Sequence, residues 1–313
     1  MPRKSLRTAC LGGASFIALT VGLAQAAGAQ DKPGFYLGLQ GEILLSGGTS
    51  FDAPFGQLTS GLMKDLSVPP GGDGAGAKIT AGYQFHGPWS IEANLAGNWL
   101  ESTSDETFAQ NPQGPEFIGA KLSSRTEYYL ADFDAGYTIQ LGQGRDIRLT
   151  GGVQYGNFRV DRNLNMFAYN YIPFPGAGGV DIGMNSRFWG IGPKLGVDGH
   201  YQLGRSDFSV VGGVSGSVLF GRLTNSNSYY SYGNGPSGGG GNSDSKGHTA
   251  YGLNANLGLA YQMPYANFDS SITVGMQVDQ WWNIAEQQEF TGNGTQNVNL
   301  TTWGPFLKWE THF

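Results

Sequence analysis

Residues 251–262 read YGLNANLGLAYQ. Tyr251, Leu253, Ala255, Leu257, Leu259 and Tyr261 alternate with Gly252, Asn254, Asn256, Gly258 and Gln262. Successive side chains of a strand point to opposite faces, so this is a ribbon with one apolar and one polar face. The apolar face is bounded by tyrosines at both ends, and its length is about the 9–11 residues a tilted strand needs to cross a bilayer. The same reading holds elsewhere. Ala77, Ile79, Ala81, Tyr83 and Phe85 oppose Lys78, Thr80, Gly82 and Gln84. Trp189, Ile191, Leu195, Val197 and Tyr201 oppose Lys194, Asp198, His200 and Gln202. In a seventh segment, 207–222, Val211 and Leu219 fall on the nominal polar face.

Extending this pattern along the chain gives ten strands, at 35–45, 75–85, 88–99, 125–140, 146–160, 186–203, 207–222, 248–262, 268–284 and 297–313. Eight or twelve strands stay open as alternatives. Short turns at 86–88, 141–145, 204–206 and 263–267 take turns with long connections at 46–74, 100–124, 161–184, 223–247 and 285–296. Tight turns at one end and long loops at the other are the pattern of an all-β, antiparallel up-and-down outer-membrane barrel. An even strand count puts both termini on the periplasmic side and the long loops outside the cell.

Composition agrees. The 313 residues include 52 Gly, 18 Phe, 15 Tyr and 7 Trp, and only 13% are charged. Lipid-facing positions exclude charge, whereas an average soluble domain is about 25% charged. A net charge of −6 argues against nucleic acid, which selects basic surfaces. Aromatic residues gather at the ends of the apolar faces. Phe35, Phe85, Trp89, Tyr137, Tyr201, Phe208, Tyr261 and Trp309 fall at the turn end, and Trp99, Tyr129, Trp189, Phe220, Tyr251 and Trp303 at the loop end. Two such belts at headgroup depth separate a membrane barrel from a soluble sandwich.

Residues 1–29 read as a cleaved signal peptide, leaving 30–313 as the barrel domain. Arg3, Lys4 and Arg7 precede the apolar run from Leu11 to Leu23, and Ala27-Gly28-Ala29 offers a cleavage site, with Ala24-Gln25-Ala26 as a second candidate. Cleavage removes those three positive charges, leaving 15 basic against 24 acidic residues. It also removes Cys10, the single cysteine, so the mature chain has neither a disulfide nor a thiol site.

Residues 187–222, RFWGIGPKLGVDGHYQLGRSDFSVVGGVSGSVLFGR, carry a family resemblance. The order F-x-G-x-G-P-x-L-G-x-D-G-x-Y, a Gly turn and the glycine-rich V-G-G-V-S-G-S-x-L-F-G strand resemble the Legionella-type major outer-membrane protein family. Residues 254–261 and 272–282 fit more loosely. The likeness covers about the second half of the chain, and residues 31–120 match as generic barrel strands. It implies a porin-like surface barrel for passive passage of small solutes, and no catalytic residue. A closed structural or adhesive barrel is the alternative.

Parity sorts the charges. Glu42, Lys78, Glu92, Asp132, Asp134, Arg148, Lys194, Asp198, His200, Asp279, Lys308, Glu310 and His312 fall on inner faces. A Lys or Arg facing lipid at mid-depth costs about 2–4 kcal/mol, so these belong in the lumen. There they either pair and plug the bore or line a narrow wet channel. Seven acids against four bases (histidines aside) make any passage mildly cation-preferring. Ten strands enclose little more than eight, whose interior side chains nearly fill, although Gly82, Gly213, Ser215 and Gly258 on inner positions would leave space.

Arg125, Arg159, Arg187 and Arg222 instead fall on the outward face at the loop ends of four neighbouring strands. Guanidinium groups suit bidentate phosphate binding, so a grip on lipopolysaccharide phosphates is one expectation. Snorkelling, or pairing with Glu101 and Asp161, is the other. Leu307, Trp309 and the terminal Phe313 share a face and look like the signal read by the barrel assembly machinery. No interface signature is visible, so a homo-oligomer stays open.

Some barrels are hydrolases, and outer-membrane aspartyl-type proteases resemble this chain in length and strand count. Asp132/Asp134 and Asp198/His200 are the pairs to weigh, but both lie near the turn end, away from an external substrate. A lumen ion network fits them better. The long connections hold 12 acids and 4 bases, spaced unlike a calcium loop. Tyr229-Tyr230-Ser231-Tyr232 before Gly238–Gly241 suits either sugar stacking or a plain Gly-rich loop. No Gly-rich loop opens a helix, no G-x-S-x-G elbow has a supporting triad, and no HExxH occurs. No cofactor or metal is implied.

Overall fold

A computed structural model describes residues 33–48, 51–52, 67–68, 72–109, 117–142, 144–171, 174–233, 237–265, 268–288 and 295–313. The signal-peptide segment and Cys10 lie outside the described residues. Ten antiparallel strands form a closed barrel: β1 Gly34–Gly48, β2 Asp73–Gln84, β3 Trp89–Ala109, β4 Phe117–Gly142, β5 Arg145–Tyr171, β6 Phe174–Gln202, β7 Phe208–Tyr232, β8 Gly238–Tyr265, β9 Phe268–Gln288 and β10 Thr295–His312. Each strand pairs with its sequence neighbours, and β1 closes the ring on β10 from Tyr36↔His312 to Gly48↔Leu300. Closure leaves no sheet edge, which the hydrocarbon layer requires.

The strands run further than alternation indicates. β6 is 29 residues long and β8 is 28. Most of the connections expected at 161–184 and 223–247 are thus continuations of the ladder: Asn165 pairs with Asp181, and Ser226 with Ser243. Backbone hydrogen bonds sustain a hairpin above the membrane without an apolar face, so the alternation fades where the strand does not. Most of the 46–74 connection lies outside the described residues. Within it, Phe51–Asp52 pairs with Ser67–Val68.

Both aromatic belts face outward. On the turn side Phe35, Trp89 and Phe208 are exposed, and on the hairpin side Trp99, Trp189 and Phe220. Rings on adjacent strands meet edge to face, as in Trp89–Tyr137 at 4.9 Å and Trp99–Tyr129 at 6.0 Å. The ten residue steps from Trp89 to Trp99 span roughly 24 Å along the barrel axis at the usual rise and ~45° tilt, close to the apolar band of an outer-membrane barrel. Between the belts Leu95, Leu195, Leu257, Val274 and Leu307 are exposed, as lipid-facing residues are.

Inner-face glycines do not leave the space expected of them. A Cβ on Gly82 would lie 2.2 Å from the Tyr36 ring, one on Gly213 2.4 Å from Asp198, and one on Gly258 2.8 Å from Thr273. These glycines admit neighbouring side chains that lean across them, so the room is already filled.

Candidate functional site: the lumen

The lumen has two storeys. The lower is a polar cavity of about 1460 Å³ that reaches the turn residues Gly87, Pro88 and Gly144. Glu42, Lys78, Glu92, Asp132, Arg148, Lys194, Asp198, His200, Asp279, Lys308, Glu310 and His312 all line it. Asp134 is buried beside it, on Lys194. Alternation alone aims these side chains inward, but which of them meet depends on register and on reach across the bore.

Three ion clusters result. Lys194 Nζ lies 2.9 Å from Asp132 Oδ2 and 2.8 Å from Asp134 Oδ2, and Gln154 Nε2 donates to Asp132 Oδ1 at 2.7 Å. Arg148 Nη1 reaches Glu92 Oε2 at 2.9 Å and its Nε donates to Ser90 at 3.1 Å. Tyr36 Oη donates to the same Glu92 oxygen at 2.9 Å. Glu310 takes Lys308 and, at 3.1 Å, His312 Nε2. Glu42 and Asp279 are held by amides: Gln277 donates to both, Gln40 to Glu42 and Asn254 to Asp279. Lys78 and Asp198 line the cavity without an ion pair among the described residues. A charge removed from water is tolerated when a counter-charge and hydrogen bonds compensate it, and Lys194, Arg148 and Lys308 supply the counter-charges here.

Of the residues weighed for hydrolysis, Asp132, Asp134 and His200 are otherwise engaged. Lys194 occupies both Asp132 and Asp134. His200 Nδ1 faces Asp146 Oδ2 at 3.0 Å, its register partner on β5, while Asp198 stands opposite Arg148. Sequence reasoning passed over Tyr36 and Asp146, although both share inward parity with residues it placed in the lumen.

The upper storey is apolar, and the parity reading of the charges did not anticipate it. Leu44, Leu100, Tyr128, Phe158, Phe188, Leu219, Leu223, Trp281, Ile284 and Leu300 are buried in one cluster on inner faces at the hairpin-side belt. Leu219, the apparent exception to alternation in β7, belongs here. Phe158 of β5 and Trp281 of β9 come from walls separated by three other strands, yet their ring centroids are 4.7 Å apart. Tyr128 of β4 stacks on Phe158 at 5.4 Å and its hydroxyl lies 3.3 Å from Thr302 of β10. Side chains from opposite walls therefore meet across the bore.

An irregularity in β9 follows directly after Trp281. Trp281 pairs with Leu300 and Ala285 with Val298, so Trp282, Asn283 and Ile284 oppose Asn299 alone. Asn283 takes up the excess in the left-handed region, φ 59°, where Asn is among the few residues at ease. The bulge drives Ile284 and Ala285 inward, both fully buried. His248 Nε2 sits 2.8 Å from the Asn283 carbonyl, and Lys246 Nζ 2.6 Å from Glu286 Oε2.

On the outside, Arg125, Arg159, Arg187 and Arg222 are all exposed. Arg125 pairs with Glu127 at 2.5 Å and Arg159 with Asp161 at 2.8 Å. Leu307 and Trp309 face outward and are exposed, with Trp309 Nε1 donating to Ser270 at 2.6 Å. The Phe313 amide donates to the Phe35 carbonyl at 2.8 Å.

Among solved structures, the outer membrane protease OmpT from Escherichia coli is 11% identical, with 90% of this chain and 95% of that chain covered at a TM-score of 0.43. The attachment invasion locus protein Ail of Yersinia pestis is 8% identical over 89% and 98%, TM-score 0.28. A major outer membrane protein from Thermus thermophilus is 12% identical over 87% and 99%, TM-score 0.27. At these values the likenesses carry no argument about function. No curated protein matches the chain. A family described as Legionella pneumophila major outer membrane protein precursor matches residues 70–313, further toward the N-terminus than the motif-based resemblance reached. The closed ten-stranded barrel and this match over most of the chain lead to one conclusion: the protein is an outer-membrane β-barrel belonging to the Legionella major outer membrane protein family.

Proposed function

We propose that the protein is a porin-like pore for small solutes whose path is the polar cavity and whose gate is the apolar layer above it. The observation that carries this reading is the cavity of about 1460 Å³, lined by charged side chains and reaching the turn end. A barrel serving only as a scaffold has no need of so large a polar space. Apolar constrictions in channels gate by excluding water, which is the role the geometry supports for Phe158, Trp281 and Ile284. The turn end faces the periplasm and the hairpins face outside in this reading, and cations pass more readily because acids outnumber bases along the wall. It includes no catalytic step: Lys194 holds Asp132 and Asp134, and His200 faces Asp146 rather than Asp198.

A second reading, a closed surface barrel acting through its hairpins, is favoured by the same Phe158–Trp281 contact. Planar-bilayer recording of purified protein separates the two. The pore reading expects discrete conductance steps with mild cation preference, and a larger open fraction when Trp281→Ala and Ile284→Ser are combined. Silence from both the parent and the correctly folded double variant overturns the pore and leaves the closed barrel.

A further inference from the structure

The outward face of β6 and β7 carries arginines that strand register sets close together. Strand register sets Glu127, Arg159, Arg187, Thr224 and Ser245 side by side across β4 to β8. The adjacent row toward the membrane reads Tyr129, Asn157, Trp189, Arg222 and Gly247. Arg159 and Arg187 therefore stand directly opposite one another on one face. Like charges so placed destabilise a sheet unless something negative comes between them. The acids are not evenly spread: Arg125 is opposite both Glu101 and Asp161 and bridged to Glu127, so it is spoken for. Around Arg187 and Arg222 the outward neighbours are Thr224, Ser245, Trp189, Asn185 and Arg159, the last already bridged to Asp161 at 2.8 Å. Arg187 makes no ion pair among the described residues.

We propose that Arg187 and Arg222, flanked by Arg159, bind the phosphate of a lipid headgroup at the hairpin-side edge of the membrane. This narrows the four-arginine patch suggested by parity, since Arg125 and Arg159 are already bridged to Glu127 and Asp161 and leave Arg187 and Arg222 as the binding pair. Arg222 donates its Nε to Ser245 at 2.7 Å, which fixes the guanidinium plane and leaves its Nη groups to offer a planar fork. Thr224 lies 3.1 Å from the same Ser245 hydroxyl, completing a polar rim of donors. The occupant is a lipid rather than a soluble anion because the site adjoins the lipid-facing belt. Exposed Trp189 lies on the same face between Arg187 and Ile191, and exposed Phe220 lies two residues from Arg222. Belt aromatics of this kind sit at headgroup depth, so a phosphate there is already attached to acyl chains.

The test is native mass spectrometry of the full mature chain in detergent, titrated with diphosphorylated lipid A, the same glycolipid without phosphates, or inorganic phosphate. Retention of the diphosphorylated lipid by Arg187→Gln/Arg222→Gln is expected to be about tenfold weaker, and that of Arg125→Gln unchanged. The phosphate-free lipid should bind both proteins equally and weakly. Undiminished retention by the double variant overturns the site, as does equal binding of the phosphate-free lipid by the parent. Inorganic phosphate bound as tightly as the lipid assigns the site to a soluble anion and overturns the headgroup. A heat-dependent gel shift reports that the variant barrel has folded. Should the double variant not fold, Arg187→Gln alone and Arg187→Lys/Arg222→Lys are read instead, with intermediate losses expected and none overturning the site.

Discussion

Lys194 shows how a single side chain governs its neighbours. Its ammonium holds Asp132 and Asp134 together, and both carboxylates are largely withdrawn from water. Lys194→Met leaves the two acids facing each other without a counter-charge, and breaking a buried ion cluster by removing one partner costs about 3–5 kcal/mol. Urea unfolding of the refolded protein should show a clearly lowered midpoint, with partial recovery when Asp132→Asn and Asp134→Asn are added. An unaltered midpoint would mean that solvent in the cavity already screens the acids. Gly82 tests the same wall differently. Gly82→Val places carbon atoms where the Tyr36 ring lies, so it should displace Tyr36 from Glu92 and lower thermal stability by about 1–3 kcal/mol, as overpacking commonly does. That these acids and bases face inward was legible from parity, because a charge facing lipid is expensive. Which acid meets which base was not, since Lys194 and Asp132 are 62 residues apart and meet only once β4, β5 and β6 are in register.

Among the strands, β9 is where local pattern and tertiary role part company. Val274, Met276 and Val278 alternate as lipid-facing residues, after which the bulge at Trp282 to Ile284 redirects the chain into the bore. The left-handed Asn283 is the hinge of this departure. Asn283→Val places a β-branched residue where the conformation costs about 1–2 kcal/mol or more, so the bulge should relax toward a regular ladder. The measurable result is a raised open fraction in bilayer recordings, together with altered hydrogen-exchange protection of the Ile284 amide as it enters the ladder. No change in either would show that the layer holds without the bulge. Nothing in residues 281–285 announces this, because a bulge depends on what the partner strand offers opposite. The long hairpins of β5–β6 and β7–β8 make a similar point. Their Gly-, Asn- and Ser-rich ends resemble loops, yet backbone pairing carries them on as strands.

The whole molecule depends on the seam between β1 and β10, the last pairing that circular closure demands. Leu37 and Thr311 are register partners across it. The sole cysteine is Cys10, so Leu37→Cys with Thr311→Cys gives a clean test. Oxidation should lock the ring and abolish the heat-induced mobility shift, and reduction should restore it. Failure to cross-link in the folded protein would contradict the closed order.

Much of this architecture is written locally. Side-chain alternation, aromatic belts and the sorting of charge follow from the free energy of placing each residue in lipid, headgroup or water, and that free energy belongs to the residue itself. Strand number and membrane residence were accordingly readable from the chain. The contact across the bore was not. Tyr128, Phe158, Phe188 and Trp281 lie on inner faces by parity, but parity cannot say that side chains from opposite walls will touch. That is decided by the diameter of a ten-stranded ring, the register around it and the bulge in β9, all of which exist only when the barrel is shut.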